Sequence, residues 1–286
     1  MARVLKGAPA AAALTEDLID RAERLRQNSV IPCLAILRVG ERADDLAYER
    51  AAVKRCALAG IEVRHFRLPE NAALAELMAA ISEINRDDTI HGCLMFRPLP
   101  KSLDERAACE ALDPAKDVDG ITAMSLSTVY GGAGAGFAPC TAQSCLELLR
   151  FYGIDPAGKQ VTVVGRSLVI GRPVGMLLMA KDATVTFCHS KTKDLEKHVR
   201  DADIVVLAIG KAEAIGAECF RPGQTVLDVG ISWSEEKQKL VGDADFEAAS
   251  SIVSAISPVP GGIGSVTTAV LCKHVVEAAE HKLAKT

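Results

Sequence analysis

Val-Thr-Val-Val-Gly-Arg-Ser-Leu-Val-Ile-Gly-Arg-Pro-Val-Gly-Met-Leu-Leu runs from Val161 to Leu178. Val161 to Val164 is a short β-branched run, the pattern of a buried strand. Gly165, Arg166 and Ser167 make a turn. Gly171, Arg172 and Pro173 then open an apolar helix, with proline suited to the first turn. Strand, glycine turn and helix N-terminus together form the pyrophosphate-binding corner of a doubly wound fold, because free N–H groups and the helix dipole both favour negative charge there. The glycines are spaced G-x5-G rather than G-x-G-x-x-G, so an ordinary strand-to-helix turn has the same outline.

The next strand sharpens the reading. Ala183 to Cys188 alternates as a strand and runs into His189-Ser190-Lys191-Thr192-Lys193. An NAD site places an acid about 20 residues after the glycines, to hold the ribose 2′-hydroxyl. Hydroxyls and bases stand there instead, which suits a 2′-phosphate. The expected cofactor is therefore NADP, with Arg166, Ser190 and Lys191 as candidates for its extra phosphate.

The chain has 286 residues, enough for two modest domains. Its formal net charge of −4 argues against a basic nucleic-acid-binding surface. Nine cysteines without C-x-x-C or C-x-x-H pairs point to a reducing, cytoplasmic setting and no metal site. The apolar start from Ala8 to Leu14 runs straight into a charged helix, Thr15 to Arg26, so a secretory leader is not expected. No apolar run reaches the ~20 residues of a membrane span.

Working outward, residues 9–27 are amphipathic, with Leu14, Leu18, Ile19, Ala22 and Leu25 on one helical face. Strands are expected at Ile31–Val39, Ile61–Leu68 and His91–Phe96. Between them lie a helix capped by Asp44 or Asp45 and a helix over Asn71–Asn85. Arg97-Pro98-Leu99-Pro100 ends the third strand. A short helix over Leu103–Leu112 leads to Lys116-Asp117-Val118-Asp119-Gly120. Glycines at 131, 132, 134 and 136 suggest a flexible loop without the Gly-Lys-Ser/Thr of a P-loop. Thr141 is a plausible N-cap of the helix that enters the second domain. Further buried strands follow at Ile204–Ile209, Thr225–Val229 and Ile252–Ile256, and a helix over Val266–Leu283 is expected to pack back on the first domain. The β-α alternation implies α/β architecture with parallel sheets. The expected boundaries are residues 1–140 with helix 266–286, and 141–265 as the Rossmann-like domain.

These residues together resemble the methylenetetrahydrofolate dehydrogenase/cyclohydrolase family, called FolD in bacteria, over nearly the whole chain. The motifs that carry the resemblance are Lys116 to Gly120, Pro139-Cys140-Thr141, Val163 to Ser167, Cys188 to Thr192, and Pro258-Val259-Pro260-Gly261-Gly262-Ile263-Gly264. The resemblance implies a two-domain α/β homodimer that binds NADP and tetrahydrofolate derivatives. It also implies oxidation of 5,10-methylene- to 5,10-methenyl-tetrahydrofolate, then hydrolysis to the 10-formyl form. Carried over by position, Thr141, Gly165, Arg166, Ser167, Ser190 and Ile231 would touch NADP. Tyr48 and Asp119 would be the catalytic, folate-side pair. Phe96, Arg97, Pro98 and Pro260 to Gly264 (Pro260, Gly261, Gly262, Ile263, Gly264) would line the folate site. A carboxylate suits a pterin's amino-pyrimidine edge because it accepts two parallel N–H bonds. On residues alone, Asp119 also reads as an Asp-Gly turn residue and Tyr48 as a half-buried helix residue.

The sequence departs from the family on the folate side. The family pattern Tyr-x-x-x-Lys puts Ala52 where the lysine stands. Lys54 lies about 120° from the Tyr48 face at ~100° per residue, and Arg55, though near that face, is roughly 10 Å along the axis. The family glutamine is replaced by Phe96 and the residue after it by Arg97. Ser265 stands where a proline usually follows the Gly-x-Gly turn. Hydride transfer needs alignment of two ligands, whereas hydrolysis needs a tuned general base. The expected enzyme is an NADP-dependent dehydrogenase with weak or absent cyclohydrolase activity. Two alternatives stay open: a FolD-like NADP reductase for another substrate, and a non-catalytic NADP-binding module.

Overall fold

The computed structural model describes residues 1–132 and 134–284. The chain begins with β1 (Arg3–Val4) and α1 (Gly7–Gln27). The apolar start and the charged stretch are thus one helix. Leu14, Leu18, Ala22 and Leu25 are buried along it as expected, but Ile19 is exposed. Then come β2 (Cys33–Val39), α2 (Ala43–Leu58), β3 (Glu62–Leu68), α3 (Leu74–Arg86) and β4 (Gly92–Met95). Asp44 and Asp45 do not cap α2. The helix starts at Ala43, and both acids sit inside its first turn, where they meet the positive end of the dipole. After α4 (Glu105–Ala111) comes α5 (Ala123–Gly131), a helix outside the expected elements that takes in the first of the four loop glycines. Thr122 caps it, its hydroxyl accepting from the Ser125 N–H.

The second half runs α6 (Cys140–Phe151), β5 (Gln160–Val164), α7 (Gly171–Met179), β6 (Thr184–Cys188), α8 (Leu195–Asp201), β7 (Ile204–Leu207) and β8 (Thr225–Asp228). It closes with β9 (Ser232–Ser234), β10 (Lys239–Val241), α9 (Phe246–Ser250), β11 (Ala255–Ile256) and α10 (Thr267–Leu283). Thr141 is not an N-cap, because α6 already starts at Cys140. Residues 285 and 286 of the expected last helix lie outside the described residues.

The chain forms two compact units. One joins Met1–Ala11 to Thr141–Thr267; the other joins Ala12–Cys140 to the stretch from Thr268 onward. The expected boundary therefore differs at the start of the chain. Arg3 and Val4 pair with Ala255 and Ile256, so β1 adds an outer strand to the second half's sheet. That sheet is parallel throughout, in the order β1-β11-β8-β7-β5-β6. Its central strands are apolar on both faces, as a parallel sheet covered by helices requires. Val164, Val205, Leu207, Val226 and Ile256 form its core. Each such side chain contributes about 1.5–3 kcal/mol when fully buried.

The other unit holds a three-stranded parallel sheet, β3-β2-β4. β2 is its fully buried centre. Leu37, Leu77, Ile81 and Met95 belong to its core. The C-terminal part of α10 packs in this unit, where Glu280 receives both Nε and Nη2 of Arg21 at 2.9 and 2.6 Å.

Candidate active site

In the first unit, β5 is the point where the winding reverses. The chain goes from β5 to β6 on one side, then returns to β7 on the other. Ligands bind at the carboxyl ends of the strands flanking such a point. Gly165 ends β5 there with φ +136°, and a Cβ on it would come within 2.3 Å of the Ala208 carbonyl oxygen after β7. Only glycine fits both constraints. Gly171 opens α7 equally tightly, its missing Cβ facing the Gly165 carbonyl at 2.4 Å. The Ser167 hydroxyl accepts from the Ile170 N–H at 3.1 Å and, more weakly, from that of Gly171. It holds the turn shut and keeps the helix N-terminus in place.

Val164 and Cys188 are register partners, so the turns after β5 and β6 leave the same sheet end side by side. One carries Arg166, the other Ser190 and Lys191. All three are exposed, and among the described residues their side chains make no hydrogen bond or ion pair. His189 and Thr192 fix the second turn: the Thr192 hydroxyl accepts the His189 N–H at 2.8 Å. Two cations and a free hydroxyl on rigid turns beside a cradle with no room for a Cβ fit a phosphorylated dinucleotide. Ile231, at the end of β8, is 59% exposed, an apolar face at the same sheet end.

Two aspartates that sequence reasoning did not single out build the neighbouring loops. Asp243, fully buried, accepts the N–H groups of Ile209, Gly210 and Lys211 at 2.7, 3.2 and 2.8 Å. Asp228 accepts those of Gly230, Asp243 and Ala244. Burial, with the nearby Asp243 charge, pushes the Asp228 carboxyl up to about 7, although the three N–H bonds oppose the shift. Gly230 and Gly242 are glycines because a Cβ on either would strike the other loop's carboxylate at 2.1 or 2.0 Å. The available signal was the pair of Gly-Asp and Asp-x-Gly dipeptides around these two strands.

In the other unit, α2 presents Tyr48, half-buried, with Ala52 fully buried one turn on. Phe96 follows β4, anchored by its N–H to the Leu37 carbonyl, and its ring meets Tyr48. Arg97 and Pro98 come next. Arg97 is half-buried and lies 3.9 Å from Glu105. Lys54 is exposed. Arg55 donates to the Thr15 hydroxyl at 3.0 Å, which ties it to α1.

Lys116 to Gly120 separates into scaffold and presentation. Lys116 Nζ donates to the carbonyls of Ile84, Asn85 and Asp87, closing the C-terminus of α3. Asp117 accepts from the N–H groups of Ile121 and Thr122 and from the Ser125 hydroxyl. The Val118 carbonyl is held by the His274 ring at 2.8 Å and the Cys140 thiol at 3.2 Å. Gly120 has φ +69°, and a Cβ there would strike Pro139. Asp119 is the residue this loop leaves uncommitted to backbone capping. Crowding by protein raises its carboxyl to about 6; the Cys140 thiol and Arg97 pull the other way, and Asp117 adds to the rise.

Pro260 to Gly264 belongs to the first unit. Gly261 has φ +100° and its carbonyl accepts the Gly7 N–H. Ile263 is buried within a single helical turn, Ile263–Ser265. Ser265 donates its N–H to the Gly262 carbonyl at 3.0 Å, a bond proline could not make.

Two family models match the chain. Residues 5–119 match the catalytic domain of tetrahydrofolate dehydrogenase/cyclohydrolase, and residues 139–283 its NAD(P)-binding domain. The chain belongs to the tetrahydrofolate dehydrogenase/cyclohydrolase family. Within the family it is 45% identical over 281 residues to the bifunctional protein FolD of Carboxydothermus hydrogenoformans, covering 98% of both chains. The crystal structure of the bifunctional FolD enzyme of Campylobacter jejuni superimposes with a TM-score of 0.94 at 36% identity, covering 98% and 99% of the two chains. That of the Trypanosoma brucei FolD, complexed with NADP and an inhibitor, gives 0.90 at 32% identity, covering 99% and 98%. The cradle at Gly165 lies within the stretch that matches the family's NAD(P)-binding domain.

Proposed function

We propose that this protein is an NADP-dependent methylenetetrahydrofolate dehydrogenase of one-carbon metabolism whose cyclohydrolase activity is weak or absent. The family carries both activities, and NADP and tetrahydrofolate derivatives are its ligands. When bound, NADP supplies the hydride acceptor. Arg166 and Ser190 would take its 2′-phosphate, and Gly165 and Ser167 would admit its pyrophosphate to the start of α7, with Thr141 and Ile231 as further contacts. Asp119 would accept the amino-pyrimidine edge of the pterin, with Tyr48, Phe96, Arg97 and Pro98 around the rest of the folate.

The division between the two activities rests on one observation: Ala52, fully buried, stands one turn after Tyr48 where the family pattern has lysine. No nearby base replaces it. Arg55 is bonded to Thr15 and does not deprotonate. Phe96 offers no hydrogen bond to orient a water. Hydride transfer is spared, since the folate N5 lone pair stabilises the cation formed and the chain has only to align two ligands.

The reading extends to a homodimer in the cytoplasm that engages neither nucleic acid nor membrane. The homodimer follows from the family resemblance; the rest is supported by nine buried free thiols, a net charge of −4, and the lack of any helix among the described residues long and apolar enough to cross a bilayer.

The test is a paired assay on pure protein. One arm follows NADP reduction with methylenetetrahydrofolate, the other methenyltetrahydrofolate decay without nucleotide. A robust first arm and a slow second are expected. Hydrolysis as fast as reduction would overturn the proposal.

A further inference from the structure

Lys54 marks a second constellation on α2 that the folate-side chemistry does not use. Arg50 lies about 160° and Lys54 about 120° round the helix from Tyr48, at ~100° per residue, and so both face away from it. There, α2, β2 and β3 enclose a cavity of about 530 Å³ whose polar lining is Arg38, Glu49, Arg50, Lys54, His65 and Arg67. Four permanent cations and a histidine thus share one lining carboxylate, Glu49, with Glu41 a further partner of Arg38 at 3.5 Å.

That carboxylate is already taken. Glu49 is buried, with Arg38 Nε at 3.0 Å, His65 Nδ1 at 2.9 Å and Arg67 Nη2 at 3.4 Å. Arg38 is itself buried and lines the pocket; its Nε goes to Glu49 and its Nη1 to the Gly40 carbonyl and Glu41. Arg50 and Lys54 are exposed and make no ion pair there. They are like charges one helical turn apart, which destabilises a helix unless an anion sits between them. Arg38 and Arg67 share the Glu49 carboxylate, while Arg50 and Lys54 are left free for an outside ligand.

We propose that this cavity binds a diphosphate group, free or as part of a nucleotide, at a site separate from the dinucleotide corner. Planar guanidinium forks match phosphate oxygens in pairs, and a lysine ammonium adds a point charge. A diphosphate concentrates several negative charges in a volume the cavity holds easily. A monocarboxylate would leave most of the cations unpaired.

The experiment is calorimetric titration of pyrophosphate into the full chain with NADP in excess, beside the Arg50→Ala/Lys54→Ala double variant. Both positions are exposed and unpaired, so the variant should fold and keep its NADP affinity. Saturable one-to-one binding that weakens at least tenfold in the variant is expected. An ADP arm distinguishes the sources: tighter binding than pyrophosphate, lost equally in the variant, assigns the group to a nucleotide, while weaker binding, also lost, assigns it to free diphosphate. No saturation by 10 mM pyrophosphate at moderate salt (on the order of 0.1 M), or equal binding by protein and variant, would overturn the proposal. Citrate binding as tightly as pyrophosphate would overturn the assignment to phosphate.

Discussion

The ring of Phe96 stands edge-on to that of Tyr48, with centroids 6.0 Å apart and planes at 85°. The tyrosine thus meets an apolar edge where a glutamine would supply a hydrogen bond. Restoring the family pair should restore hydrolysis. Ala52→Lys alone would place an ammonium in a fully buried position with a lowered pKa and nothing to orient it. Ala52→Lys with Phe96→Gln should raise nucleotide-independent methenyltetrahydrofolate hydrolysis by something like 10²-fold or more, the scale of a positioned general base. Dehydrogenase turnover should change far less. Absorbance decay of the methenyl substrate checks the first, NADPH formation the second.

Arg166 carries a free guanidinium beside Ser190 at the ends of two paired strands. Arg166→Ala should weaken NADP by about 1.5–3 kcal/mol, the range for hydrogen bonds to charged groups, and leave NAD almost unaffected. Fluorescence titration with both nucleotides reads the difference. Equal losses would show that Arg166 does not read the 2′-phosphate.

Asp119 has its carboxyl raised from an ordinary 3.8 to about 6, burial being the main cause. An ionised carboxylate is needed to accept two N–H bonds, so KM for the folate substrate should fall as pH rises through about 6. Asp119→Asn should flatten that profile and raise KM at neutral pH while NADP affinity holds. The stability effect has the opposite sense. The folded chain binds this proton more tightly than the unfolded one, so the stabilisation is full below 3.8 and lost as pH rises through about 6.

Asp243 gathers three successive backbone N–H groups, and nothing else in the described residues accepts them. Asp243→Ala would leave those donors without an acceptor, at about 1–3 kcal/mol each where they remain buried. A lower urea midpoint is expected, together with weaker NADP binding, because residues 209–211 form a loop at the same sheet end as Gly165, the proposed cofactor corner. The same change removes a negative charge beside Asp228 and should bring that carboxyl down from about 7. Carbon-detected NMR titration would show the movement. An unaltered midpoint would mean that water replaces Asp243 without loss.

Much of this was legible in the sequence for a physical reason. Val161 to Val164 and Ile204 to Leu207 are buried on both faces, so composition alone marks them as strands. Gly165 announced a close backbone approach, and Ala208 turned out to be what approaches. What stayed hidden depends on partners far away in the chain. Two residues cannot announce β1, which exists only because Ala255 and Ile256 lie beside it. Asp228 and Asp243 stand near glycines, but nothing in the sequence tells which distant loops their carboxylates cap. Lys116 and Asp119 belong to one motif, yet one closes a helix and the other is presented, a division that only the hydrogen bonds reveal.

The pairing of Arg3 with Ala255 also sets the order in which the protein can be completed. During synthesis β1 emerges well before β11, its neighbour in the sheet. Between them the ribosome delivers residues 12–140 of the other unit. The contact is among the most distant in sequence that the chain makes, and distant pairings form late and slowly. A fragment beginning at Thr141 would expose the edge of β11 to any passing strand. The cofactor unit thus draws on two stretches far apart in the chain, and this seam can close only once Ala255 and Ile256 have been made.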